Sequence, residues 1–286
     1  MLRIVLVCLA SWLVACDGAG SELADGETWV TPEKHEGPTL RVAAVQFDAR
    51  PEAPAENLAT MERLCRTAAE RGARLVLFHE NGLLDYGDRV RELAQPVPDG
   101  PACRRFAELA AELSVWIGAG LAERDGERVY VTHAFFGPAG YVARYRKTWL
   151  FHTSDDPRRD EWAHFDPGTG PAAFDLAGLR TVVLICSDAE SQRCLELLEA
   201  LEPELVLFPN NRSNLPAAHS FASIAQRLGA PLVLANRTGK SWQHDSNGGS
   251  CILAADGSTL ARANRVGKEE ILICDIPVQR ELQPEK

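Results

Sequence analysis

Apolar residues recur along this chain in two patterns. Short β-branched runs read as buried strands, and longer runs with apolar positions three and four apart read as helices. Strands are predicted at Leu40–Phe47, Leu75–Phe78, Val115–Ala122, Arg128–Phe136, Tyr141–Arg146, Ala172–Phe174, Leu179–Ile185, Leu205–Phe208, Leu232–Ala235, Ser250–Ala254, Thr259–Ala263 and Glu270–Ile276. Helices are predicted at Pro54–Arg71, Pro101–Leu113, Ser191–Leu201 and Pro216–Leu228. In the first, Leu58, Met61, Leu64, Cys65 and Ala68 share one face and Gly72 supplies a stop. Asp125-Gly126 and Pro138-Ala139-Gly140 mark hairpin turns. Some strands are therefore joined by tight turns and others by helices, which excludes a purely doubly wound parallel sheet. The expectation is an α/β fold: a four-layer α-β-β-α sandwich of two mixed sheets. Trp149 to Gly170 has no period and reads as a long functional loop.

Composition adds limits rather than a fold. The 286 residues are 45% hydrophobic and 24% charged, ordinary for a globular body. A net charge of -10 argues against a broad nucleic-acid surface. The start of the chain is different. Met1-Leu2-Arg3 is basic, and Ile4 to Ala15 is almost wholly apolar. That run falls short of the ~20 residues of a transmembrane helix but fits a secretory signal. It ends Leu13-Val14-Ala15-Cys16, which resembles the lipobox of bacterial lipoproteins. Residues 1–15 are thus read as a signal peptide, and 16–39 as a lipidated N-terminus and flexible tether. Residues 40–286 are read as the folded domain. The expected location is the bacterial cell envelope, with acyl chains on Cys16 holding the protein on a membrane. A generic signal peptide is the alternative. Six cysteines remain beyond Cys8 and Cys16, and no pair has zinc-ligand spacing, so no metal site is expected. Most sit inside apolar patterns, as buried thiols do. A Cys65–Cys103 bridge between two neighbouring helices is left open.

The chemistry gathers at strand ends. Val182 to Cys186 is continuously apolar, and Ser187-Asp188 breaks the run just before a helix. Strand, turn and helix would present Cys186 at a carboxyl strand end, with the Ser187 N–H as an oxyanion donor. The plain alternative is a buried structural thiol. Glu80 closes the strand Leu75–Phe78 and could be a general base or a solvated charge. Lys147 follows Tyr145-Arg146 in an aromatic, apolar run and could lower the thiol pKa or simply be solvated. Gly118-Ala-Gly120 lacks the rest of a dinucleotide fingerprint and reads as tight strand packing. Asn210, Asn211 and Arg212 follow a strand and are candidate pocket residues.

Phe78-His79-Glu80, Tyr145-Arg146-Lys147-Thr148-Trp149-Leu150-Phe151 and Leu184-Ile185-Cys186-Ser187-Asp188 occur in order. Val42-Ala-Ala-Val-Gln46, Phe165-Asp-Pro-Gly168 and Leu234-Ala-Asn-Arg-Thr-Gly239 extend the pattern over nearly the whole body. The ordered set resembles the nitrilase superfamily of carbon–nitrogen hydrolases. The resemblance implies the sandwich fold, a Glu80–Lys147–Cys186 triad and a second glutamate, Glu161, that positions lysine and substrate. It implies no cofactor and a small amide-type substrate, and it leaves a homo-oligomer open. Amide or carbamoyl groups are favoured over nitriles, cleaved through a thioester. An acyltransferase with an amine acceptor and a non-catalytic surface lipoprotein are the alternatives. Three departures stand out: His79 where the family commonly has proline, Ser187 where it has an aromatic, and Ala189-Glu190-Ser191-Gln192 in place of an arginine-containing pattern. The last disfavours substrates recognised by their carboxylate.

Overall fold

The computed structural model describes residues 37–155, 160–213, 219–241, 245–263 and 267–278. The Cys16 lipobox, the signal peptide and the predicted start of a helix at Pro216 lie outside those residues.

Six strands form the first sheet, in the order β14 (Glu270–Pro277), β1 (Thr39–Gln46), β2 (Leu75–Leu77), β3 (Trp116–Asp125), β4 (Arg128–Gly137) and β5 (Gly140–Arg146). Six form the second, in the order β13 (Thr259–Arg262), β12 (Cys251–Leu253), β9 (Leu232–Asn236), β8 (Leu205–Asn210), β7 (Leu179–Val183) and β6 (Phe174–Leu176). Each sheet has a parallel trio flanked by antiparallel strands. The trios are β1-β2-β3 and β7-β8-β9. Helices make the parallel crossovers, and tight turns make hairpins such as β3–β4.

The period of two along the strands builds the layers. Val42, Ala44, Leu75 and Leu77 face Val183, Leu205, Leu207 and Val233 across the middle of the sandwich. Their chain neighbours Ala43, Val45 and Val76 pack outward against α1 (Pro54–Glu70) and α3 (Pro101–Leu113). Val182, Val206 and Leu234 pack against α4 (Gln192–Glu199) and α5 (His219–Leu228). Strands buried on both faces need apolar residues at every position, which is why these runs showed no alternation. The four-layer sandwich of two mixed sheets follows.

Three features were not expected. A four-residue helix α2 (Val90–Leu93) follows the Glu80 loop, and β10 (Thr238–Lys240) pairs with β11 (Asp245–Asn247) in a separate ribbon. The stretch after Cys186 is a 3-10 turn, Cys186–Glu190, before α4 begins. The Cys65–Cys103 bridge does not form. Both are free buried thiols, filling the layer between α1, α3 and the first sheet as small apolar side chains do.

Candidate active site

The site lies where parallel strands of both sheets end, the usual place for chemistry in such sheets. β2 leads through Phe78 and His79 to Glu80, whose backbone N–H reaches the Asn210 carbonyl at the end of β8, 3.3 Å away. The two sheets thus meet at their carboxyl ends. Within the first sheet the Glu80 segment also lies tight against Gly120 of β3, where a Cβ would lie 2.4 Å from the Asn81 nitrogen and 2.5 Å from the His79 oxygen. The expectation of tight packing at Gly118-Ala-Gly120 holds.

Lys147 directly follows β5 and is fully buried. Its Nζ donates to Glu80 Oε1 and to Glu161 Oε1, each at 2.7 Å. Glu161 sits in a 3-10 turn, Glu161–Ala163, within the long loop, and its Oε2 accepts the Phe151 N–H at 2.7 Å. So the loop charge is a buried partner of the lysine. Tyr86 completes the cluster: its hydroxyl lies 3.0 Å from Glu80 Oε1 and 2.7 Å from Glu161 Oε1. The reading from sequence missed Tyr86. Its only signal was a tyrosine in the loop just after Glu80.

Cys186 has φ = 45°, left-handed for a residue with a Cβ. Strain of this kind fits a sharp strand-to-turn elbow that aims a nucleophile. The turn is fastened on several sides. Arg212 Nη2 donates to the Cys186 carbonyl at 2.8 Å, and its Nη1 pairs with Glu190 at 2.9 Å. Ser187 Oγ donates to the Trp149 carbonyl at 2.7 Å. Asp188 accepts the Ile185 N–H at 2.8 Å and the Trp149 N–H at 2.9 Å.

Burial sets the resting protonation. It raises Glu80 above the usual carboxylate range, and Lys147 only partly offsets it. Burial alone would pull the Lys147 ammonium down, but Glu161 and Glu80 together more than offset this and raise it. Burial pushes the Cys186 thiol up to about 12, with Glu80 adding to the rise while Lys147 and Arg212 oppose it. The resting nucleophile is therefore a neutral thiol that must give its proton to a neighbour as it attacks.

The candidate pocket residues Asn210 and Asn211 are both buried and both engaged. Asn210 donates to the Phe208 carbonyl at 2.9 Å, while Asn211 donates to Asp85 at 3.0 Å. Asp85 also accepts from Ser241 at 3.0 Å and lies 3.8 Å from Arg237, which in turn reaches Asp48 at 3.1 Å. A cavity of about 320 Å³ opens beside the Cys186 turn, lined by Trp149, Phe151, His152, Ser187 and Glu190 among others. Among the described residues no group of three or more His, Cys, Asp or Glu side chains could hold a metal.

A profile of the carbon–nitrogen hydrolase family matches residues 41–282, and the chain belongs to that family. It is 30% identical to a nitrilase of Pyrococcus abyssi over 83% of this chain and 89% of that protein. It is 31% identical to an N-carbamoylputrescine amidase of Oryza sativa subsp. japonica over 79% of each chain. Its fold matches that of a variant of the amidase from Nesterenkonia sp. AN1, with a TM-score of 0.76 at 23% identity, covering 90% of this chain and 97% of that one. The chain is thus a carbon–nitrogen hydrolase with a nitrilase-type sandwich.

Proposed function

We propose that the protein hydrolyses small amides or carbamoyl compounds through a thioester on Cys186. The observation that carries this reading is one fully buried ammonium, Lys147, held between two carboxylates beside a strained cysteine. Both hydrogen bonds to Glu80 land on Oε1, which leaves Oε2 to take the thiol proton as sulfur attacks the carbonyl carbon. Lys147 and the Ser187 N–H stabilise the tetrahedral oxyanion, and one such donor is typically worth ~3 kcal/mol in the transition state. Collapse breaks the C–N bond. The nitrogen leaves as ammonia or an amine, carrying the proton from Glu80. Water then attacks the thioester, giving its proton to the same carboxylate. The acid departs as the thiol is restored.

The relatives named N-carbamoylputrescine amidase and omega-amidase support amide or carbamoyl chemistry, and the Pyrococcus abyssi relative named nitrilase puts nitriles in the same panel as the competing substrate. The N-terminal pattern adds that this chemistry is exported and held on a membrane by acyl chains on Cys16. The test is ammonia release across a panel of primary amides, carbamoyl compounds and nitriles, with Cys186→Ala as the blank. A mass increase on Cys186 equal to the acyl group is expected on quenching. No release and no adduct across the panel would sink the reading. Amide product forming when amines are added would redirect it to acyl transfer. Cys16→Ala should move the protein from the membrane to the soluble fraction of the host cell.

A further inference from the structure

Lys147 and Cys186 must keep a fixed separation, yet they follow strands of different sheets. Lys147 follows β5 in the first sheet, and Cys186 closes the β7 segment of the second. The Lys147 backbone is tied to Val131 and Gly168, within its own sheet and loop. Resting on the functional reading above, we propose that Asp188 is the positioning residue that locks the lysine segment onto the nucleophile turn.

The side chain is fully buried and spans the two segments. Oδ2 accepts the Ile185 N–H at 2.8 Å on the nucleophile side and the Tyr145 hydroxyl at 2.9 Å on the lysine side. Oδ1 accepts the N–H groups of Thr148 at 3.2 Å and Trp149 at 2.9 Å, the two residues after Lys147. Four donors converge on one carboxylate, one from the residue before Cys186 and three from residues within two positions of Lys147. The bond from Ser187 Oγ to the Trp149 carbonyl closes the same joint from the other direction. Only an acceptor with two oxygens satisfies this pattern, because an asparagine carries one oxygen and two N–H donors. The charge that faces it is the Lys147 ammonium, and the neutral Tyr145 hydroxyl donates a hydrogen bond to it.

Asp188→Asn keeps the size of the side chain but turns an NH₂ group toward Ile185 N–H or toward Thr148 and Trp149 N–H. Loss of the joint should lower kcat by about tenfold or more, since misplacing a reacting group by ~1 Å can cost 10²-fold. KM should stay within about threefold, because no substrate contact is removed. The rate at which chloroacetamide alkylates Cys186 should fall in parallel. Asp188→Glu keeps the charge and both oxygens while displacing them, and should move both quantities the same way. Circular dichroism establishes that each variant is folded at the assay temperature. Wild-type kcat and alkylation in a folded variant would overturn the proposal. So would loss of the fold in both variants, which would make Asp188 a stability residue only. If the wild type cleaves no amide, the functional reading fails, while the alkylation ratio still tests the lock.

Discussion

Two ionic clusters use the same arrangement, one buried cation between two carboxylates, for different ends. Lys147 lies between Glu80 and Glu161, and Arg237 lies between Asp48 and Asp85. Both cations are fully buried. They differ in how the donors are spent. The Arg237 fork also reaches backbone carbonyls, Ala49 at 3.3 Å and Gly239 at 3.4 Å, and so ties the end of β9 to the segment after β1. A planar guanidinium suits such fixed joints. Lys147 has three N–H donors and gives two to carboxylates. That leaves one for an oxyanion. The contrast separates a cation whose donors are spent on fastening loops from one that, in the proposed mechanism, keeps a donor for the oxyanion.

Replacing each cation breaks the comparison most directly. Lys147→Met should cost about 10³-fold or more in kcat/KM, since it removes an oxyanion donor and the partner of the base. Arg237→Met should instead cost stability, of the order of 3–5 kcal/mol for a cation removed from a buried pair. Urea unfolding should register that loss, while the folded fraction keeps Cys186 alkylation near the wild-type rate. Equal catalytic losses in the two folded variants would abolish the distinction.

The same contrast governs what was legible in the sequence. Glu80 and Cys186 stand at the ends of apolar strands, where a polar group breaks a strong local pattern, whereas Lys147 follows the mixed strand β5. Each position could be singled out, but their joining into one triad came from the family resemblance of the ordered segments. Glu161 was readable only by resemblance, because a carboxylate in an aperiodic loop gives no local sign of burial. Tyr86 and Asp85 escaped altogether. Tyr86 meets Glu161 across 75 positions and Asp85 meets Ser241 across 156, separations that no periodicity encodes. The layers were legible for the opposite reason, since burial of both strand faces leaves continuous apolar runs. The Cys65–Cys103 pairing failed because helical spacing places a thiol on a buried face without fixing its partner.

His79 stands between the two clusters and gives a pH test of their separation. Burial, and then the Arg237 charge, hold it down to about 3, while its Nδ1 meets the Glu80 carbonyl at 3.0 Å. The fold binds the neutral imidazole, so this contribution is complete above the unfolded value near 6.5. It is lost as pH falls from there toward 3, where the unfolded chain holds the extra proton. The slope is about 1.4 kcal/mol per pH unit. His79→Phe keeps a ring against Phe47, whose centroid lies 4.6 Å away, and should remove that slope between pH 6 and pH 4 in urea titrations. An unchanged slope would show that the imidazole is not held neutral.

Tyr86→Phe is the mildest change and the finest test of the Lys147 cluster. Its hydroxyl shares Oε1 of Glu80 and Oε1 of Glu161 with the Lys147 ammonium, so it orients both carboxylates without carrying charge. Burial, and then both carboxylates, hold its pKa well above the ordinary phenol value, so it remains a donor throughout the working range. Removing it leaves the ion pairs in place but withdraws the one hydrogen bond its hydroxyl can donate to this carboxylate pair, worth ~1.5–3 kcal/mol in stability. The carboxylates lose a donor that favours their charged form, so the Glu80 pKa should rise further. The acid limb of kcat should move to higher pH, with a fall of about tenfold near neutrality and recovery as pH rises. A uniform loss at every pH would make Tyr86 a packing residue. A shifted limb would make it part of the machinery that keeps Glu80 available as a base.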